Sequence, residues 1–172
     1  GDDTYIKSIE TAILSLEVMP SMRSLMTAGP AAARDNTCMY NCSYLAVDDV
    51  KAFDEAMFIL LCGTGVGFSV ERQFIEKLPE VTNLIESATV VSVRDSKEGW
   101  AKAFRQVLAL LWAGEIPKWD VSKVRPAGAR LKTFGGRASG PAPLVDLFNF
   151  TVQIFKNAEG RKLSSIECHD LM

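Results

Sequence analysis

The chain has 172 residues, 48% of them hydrophobic, a net charge of −2 and a single histidine. That length and apolar content fit one soluble globular domain, or a large piece of one. The near-neutral balance gives no global case for a nucleic-acid or membrane-surface protein, and the longest apolar run, Ala56 to Cys62, is far too short to span a bilayer.

Asp2, Asp3 and Thr4 are able to cap a first helix, whose apolar positions Ile6, Ile9, Ala12, Ile13 and Leu16 recur at helical spacing up to Pro20. Residues 20 to 37, with Pro20, Gly29, Pro30 and Asn36, read as irregular. A strand is expected over Cys42 to Val47. A helix follows over Val50 to Cys62, with Phe53, Ala56, Met57, Leu60 and Leu61 on one face. Short strands are expected over Phe68 to Glu71 and Ala88 to Val93. Asp95 or Ser96 caps a strong helix with Trp100, Ala103, Phe104, Val107, Leu108 and Leu111 as its stripe, ended by Gly114. Pro143 suits the first turn of another, which buries Leu144, Leu147, Phe148, Thr151, Ile154 and Phe155 and stops at Gly160. A last helix begins in Leu163 to Met172. Strands alternating with helices indicate an α/β fold. Gly1-Asp2-Asp3 at one end and a pattern without a stop signal at the other read as the ends of a fragment.

Two glycine-rich segments stand apart. "CGTGVG" (62–67) joins a predicted helix to a predicted strand, the reverse of the strand–glycines–helix order of a dinucleotide fingerprint. It is either a helix cap or, since three glycines in five residues exceed what a cap needs, backbone that approaches a ligand. Pro117 to Ala142 has no periodicity and holds Lys118, Lys123, Arg125, Arg130, Lys132 and Arg137 against Asp120 alone, a local +5 that leaves −7 for the remainder. Arginine with glycine and no acidic partner points to phosphate; a solvated basic loop is the plainer alternative.

The four cysteines, without a secretory leader, read as cytoplasmic thiols. A zinc site from Cys38, Cys42, Cys168 and His169 fails on spacing, because helical neighbours point about 100° apart; no metal is expected. A Cys38–Cys42 disulfide fails if the segment is extended, since four strand residues span roughly 13 Å against the roughly 7 Å a disulfide allows. Cys62 is most simply a buried small hydrophobe. Local chemistry leaves Cys42 open, with a core role the simplest reading.

"MPSMRSLMTAG", "YNCSYLAV", "CGTGVGFSVERQ", "VRPAGARLKTFGGRASGPAPL" and "LSSIECHDLM" occur in this order. Together they resemble the large catalytic chain of ribonucleotide reductase, and within it the class II, adenosylcobalamin-dependent enzymes of the monomeric ribonucleoside-triphosphate type. The resemblance implies part of a ten-stranded α/β barrel and thiyl-radical reduction of ribonucleotides to 2′-deoxyribonucleotides. It implies that Cys42 is one half of a reducing dithiol, with the radical cysteine, the second redox cysteine and the shuttle pair absent from this chain. It places Thr64, Gly65, Val66 and Gly67 beside the substrate, with Ser24, Asn41 and Ser43 as further substrate contacts. Asp49, Arg125, Arg130 and Lys132 match positions that meet a deoxynucleotide effector. Residues 74–123 stand where an insertion would supply the effector site. Implied partners are the remaining part of the reductase and a thioredoxin-type reductant; no nucleic acid, no membrane and a cytoplasmic location are expected. The alternative is a nucleotide-binding, non-catalytic part of a split reductase that needs a second chain.

Overall fold

A computed structural model describes residues 3–131 and 136–172. The chain divides into two compact units, Gly1–Asn41 and Cys42–Met172.

The first unit is helical. Helix α1 (Asp3–Leu14) stops well before Pro20, at a left-handed Leu16 (φ 61°), where Glu17 N–H and Val18 N–H both turn back to the Ala12 carbonyl. None of its residues is buried, because so short a unit has little core to offer its apolar stripe. The segment expected to be irregular is instead largely helical: α2 (Met22–Thr27), α3 (Pro30–Arg34) and a 3-10 turn over Asn36–Met39. Pro30 starts α3 rather than breaking a helix, and Asp35 caps the 3-10 turn by accepting Thr37 N–H at 3.1 Å. Helices this short carry too few turns for periodicity to reveal them.

The second unit holds two strand–helix–strand units. The first is β1 (Cys42–Ala46), α4 (Ala52–Leu61) and β2 (Gly65–Ser69), with β1 and β2 paired in parallel. After a short α5 (Arg72–Ile75), the second is β3 (Ile85–Ser92), α6 (Lys97–Trp112) and β4 (Glu115–Asp120), also parallel. Helices α7 (Ala142–Asn157) and α8 (Ser165–Leu171) complete it. Ser96 caps α6 as expected, its Oγ accepting Gly99 N–H at 3.0 Å. Strand β2 begins three residues earlier than expected, so the glycine segment is itself strand. Strand β4 was not expected, and it takes the first four residues of the basic segment. Pro117 hides it, lacking the N–H a ladder needs, and the β3–β4 register slips opposite that residue, between Glu86 and Val90.

The core lies among α4, α6 and α7. Phe53, Phe104, Phe148, Phe155, Leu108 and Leu111 are fully buried, and Trp112 meets Phe155 edge-on at 4.8 Å. Leu60 and Leu61, expected on the buried face of α4, are exposed. The α/β class holds, but the four strands form two separate two-stranded sheets, so no ten-stranded barrel closes among the described residues. No helix of the described residues is long and apolar enough to cross a membrane.

Candidate functional site

The β1–β2 ladder sets Cys42 opposite Gly65, Ser43 opposite Val66 and Tyr44 opposite Gly67. Strand side chains alternate between faces. Cys42, Tyr44, Gly65 and Gly67 are exposed, while Ser43, Leu45, Val66 and Phe68 are half-buried. One face of this small sheet is therefore bare and carries a free thiol. Ser43 Oγ donates to the Gly65 carbonyl at 3.1 Å and ties the two strands where the thiol stands. Thr64, buried, leads into β2, its N–H donating to the Ile59 carbonyl at 3.3 Å.

The three glycines of this segment do different things. Gly63, with φ 83°, makes the left-handed turn out of α4. Gly65 and Gly67 lie in extended strand, a conformation any residue adopts. A Cβ on Gly67 would stand 3.7 Å from the Ser43 carbonyl oxygen, an ordinary contact. Nothing among the described residues therefore requires glycine at position 67. A bare strand surface is what a closely approaching ligand or backbone requires.

Ser24 and Asn41 belong to the first unit. The Ser24 carbonyl accepts Ala28 N–H at the end of α2, and Asn41 Oδ1 accepts from Arg23 Nε at 3.4 Å.

The described residues of the basic segment after β4 are tied to one another rather than structureless. Arg130 and Arg137 face each other across an antiparallel bridge, with Leu131 N–H donating to Gly136 and Ala138 N–H to Ala129. Its base closes where Gly140 (φ 77°) packs on Ala127, so tightly that a Cβ would meet the Ala127 nitrogen at 2.8 Å. Like charges directly opposite each other are unfavourable without a counter-ion. Arg137 is partly occupied, donating to the Gly128 carbonyl at 3.0 Å. Arg125 does have an acidic partner: its Nε donates to Asp95 Oδ2 at 2.7 Å. Counting charge within the segment missed this, because Asp95 lies 30 residues upstream. Lys132 lies outside the described residues.

Asp49 is exposed and heads α4, its Oδ1 accepting Lys51 N–H at 2.9 Å. It also helps raise the pKa of Arg105, whose main cause is the hydrogen bond to Asp54, with Glu55 contributing. Among the described residues no His, Cys, Asp or Glu group is arranged to hold a metal ion. All four cysteines are free thiols. Burial, with a smaller contribution from Glu167, pushes the Cys168 thiol up to about 12 and leaves it inert.

Residues 69–155 match the family model described as "B12-dependent ribonucleotide reductase, insertion domain". The chain is 25% identical to the adenosylcobalamin-dependent ribonucleoside-triphosphate reductase of Levilactobacillus brevis, over 98% of this chain and 30% of that protein. It is 29% identical to the protein of the same name from Euglena gracilis, over 93% of this chain and 23% of the other. A crystal structure of a B12-dependent (class II) ribonucleotide reductase superposes on 93% of this chain and 30% of its own length, with a TM-score of 0.81 and 23% identity. The chain thus spans under a third of the length of these relatives.

Proposed function

This chain belongs to the B12-dependent ribonucleotide reductase family, and on that premise we propose that it is part of a ribonucleoside-triphosphate reductase. In this reading β1 and β2 are neighbouring strands of a ten-stranded barrel that other strands complete. The bare face of the ladder is the floor of the substrate site. The observation that carries the reading is the register: the exposed Cys42 stands directly opposite Gly65, one pair from Gly67.

The chemistry is a balanced two-electron reduction. The 2′-hydroxyl leaves the ribose as water, and two thiols become a disulfide. Cys42 is one of those thiols and its partner lies beyond this chain. A cysteine on a paired strand suits that role, because the sulfur must stay within reach of the sugar. Ser43, Thr64, Gly65, Val66 and Gly67 border the sugar; Ser24 and Asn41, from the helical unit, are further substrate contacts. A thioredoxin-type protein regenerates the dithiol, and four free thiols fit a reducing cytoplasm.

Adenosylcobalamin, the cofactor of the family, supplies radical chemistry when bound. The described residues build no site that suits it. The hollow between α4 and α6, about 480 Å³, with Phe58, Ile59 and Ala101 as well as Glu98, Lys102 and Arg105 in its lining, is too small for a corrin with its adenosyl arm. The single imidazole, His169, sits against Asp170 and Phe68. Contacts to the cofactor fall to the remainder of the reductase.

Residues 74–123 are the insertion that supplies the effector site, a reading supported by the insertion-domain match over residues 69–155. Asp49, Arg125, Arg130 and Lys132 meet the deoxynucleotide effector, and the opposed Arg130 and Arg137 fit its phosphates. Changing Arg125 and Arg130 together is expected to abolish effector-dependent substrate preference while sparing the basal rate; an unaltered preference would remove the effector role.

The decisive test of the whole reading is reconstitution. The chain, combined with a polypeptide carrying the missing barrel strands, adenosylcobalamin and a dithiol, should convert ribonucleoside triphosphates to deoxyribonucleotides. Nucleotide binding without turnover, in a complex shown to be assembled, favours the non-catalytic alternative.

A further inference from the structure

We propose that Cys62 and Lys97 are an oxidative modification site: under hydrogen peroxide, the Cys62 sulfur is oxidised and captured by the Lys97 amine as a sulfenamide. Lys97 Nζ lies 3.0 Å from Cys62 Sγ. The two groups stand at helix ends that pack on each other, Cys62 at the cap of α4 and Lys97 at the first residue of α6. The Phe58 ring, 5.0 Å from the same nitrogen, helps hold the cation there.

The chemistry needs one oxidant and balances. The Cys62 sulfur attacks a peroxide oxygen, the O–O bond breaks, and sulfenic acid and water result. Lys97, having released its ammonium proton to solvent, attacks the sulfur. The S–N bond forms, the S–O bond breaks, and a second water leaves carrying an amine proton. Thiol, amine and one peroxide thus give sulfenamide and two waters; sulfur is oxidised and peroxide reduced. Two thiol equivalents restore the pair: the first attacks the sulfur, releases the amine and leaves a mixed disulfide, and the second frees the Cys62 thiol as the reductant's own disulfide forms.

The surroundings decide the outcome between this and ordinary over-oxidation. Cys62 has no exposed surface, whereas Lys97 is partly exposed. A small oxidant therefore reaches the sulfur only in a brief opening, and when the structure recloses the Lys97 amine again stands 3.0 Å from the sulfur. Among the described residues neither of the other buried thiols is paired with an amine: Cys38 donates to the Asp35 carbonyl, and Cys168 is buried beside a carboxylate. The link joins residues 35 apart and encloses β2, the strand opposite Cys42. It does not depend on the chain's being part of a reductase.

The test treats the purified chain with hydrogen peroxide, then maps peptides without reductant. A cross-linked peptide pair joining Cys62 to Lys97 is expected, in a species about 2 Da lighter than the reduced chain and reverted by dithiothreitol. Lys97→Arg keeps the cation but has no free amine to react. In that variant, shown folded by circular dichroism, the link is expected to vanish and Cys62 to carry sulfinic acid, about 32 Da heavier. Cys62 recovered in the wild-type chain as a free thiol, as sulfinic acid, or joined to any group other than Lys97 overturns the proposal.

Discussion

The second unit contains the same strand–helix–strand arrangement twice, put to different uses. Around α6 the arrangement builds the core: seven of the helix's residues are buried, and its rings meet those of α7. Around α4 the parallel pair is five residues long and leaves one face open, with a cysteine, a tyrosine and two glycines on it. On the proposed function, the chemistry falls to the copy whose sheet is open. Both helices contribute to the core, α6 with more buried residues, but the sheet around α4 keeps its bare face.

Substitutions that fill or empty these spaces should therefore act on different observables. The largest stability effect is expected from Phe148→Ala. Its ring is fully buried against Phe104 and Trp119, and its loss should cost about 3–5 kcal/mol in denaturant unfolding. The glycines sharpen the contrast. Gly140→Ala meets both a left-handed φ of 77° and a 2.8 Å clash with Ala127, and should cost at least about 1 kcal/mol. Gly67→Ala, extended and uncrowded, should change stability by less than about 0.5 kcal/mol. In a reconstituted enzyme it should nonetheless raise KM for the nucleotide. Equal stability losses at the two glycines would break the distinction.

A smaller effect is expected at α8, away from both arrangements. Arg161, aided by Ser164, holds the Glu167 carboxyl down at about 2. A depressed carboxylate pKa stabilises the fold above the ordinary glutamate range, and that stabilisation drains away as pH falls from there toward 2. Glu167→Gln removes the carboxylate from the capping box and should cost about 1 kcal/mol near neutrality. The gap between variant and parent should close as the pH is lowered. A gap that persists at pH 2 would assign the effect to packing.

Much of this fold is legible in the sequence, for reasons that also mark where legibility ends. Helices α6 and α7 run 16 residues each, enough turns for their apolar stripes to declare themselves. The five- and six-residue helices of the first unit are too short for that. Strand β4 is masked by Pro117, and its ladder accommodates the missing donor by slipping register. At the candidate site, the types of residue are visible in the motifs, and the resemblance assigns them roles. Their juxtaposition is not visible, because register is a property of two strands, and Gly65 follows Cys42 only after a whole helix. Asp95 holding Arg125 and Lys97 beside Cys62 escape the sequence for the same reason. Each joins residues thirty or more positions apart that no local pattern relates.

The most direct test of the central claim is turnover by Cys42→Ser in the reconstituted reductase. Cys42 is exposed, so the variant should fold like the parent, within about 0.5 kcal/mol. Loss of deoxyribonucleotide formation with nucleotide binding retained is the result this account predicts. Sustained multiple turnover by the serine variant would contradict it.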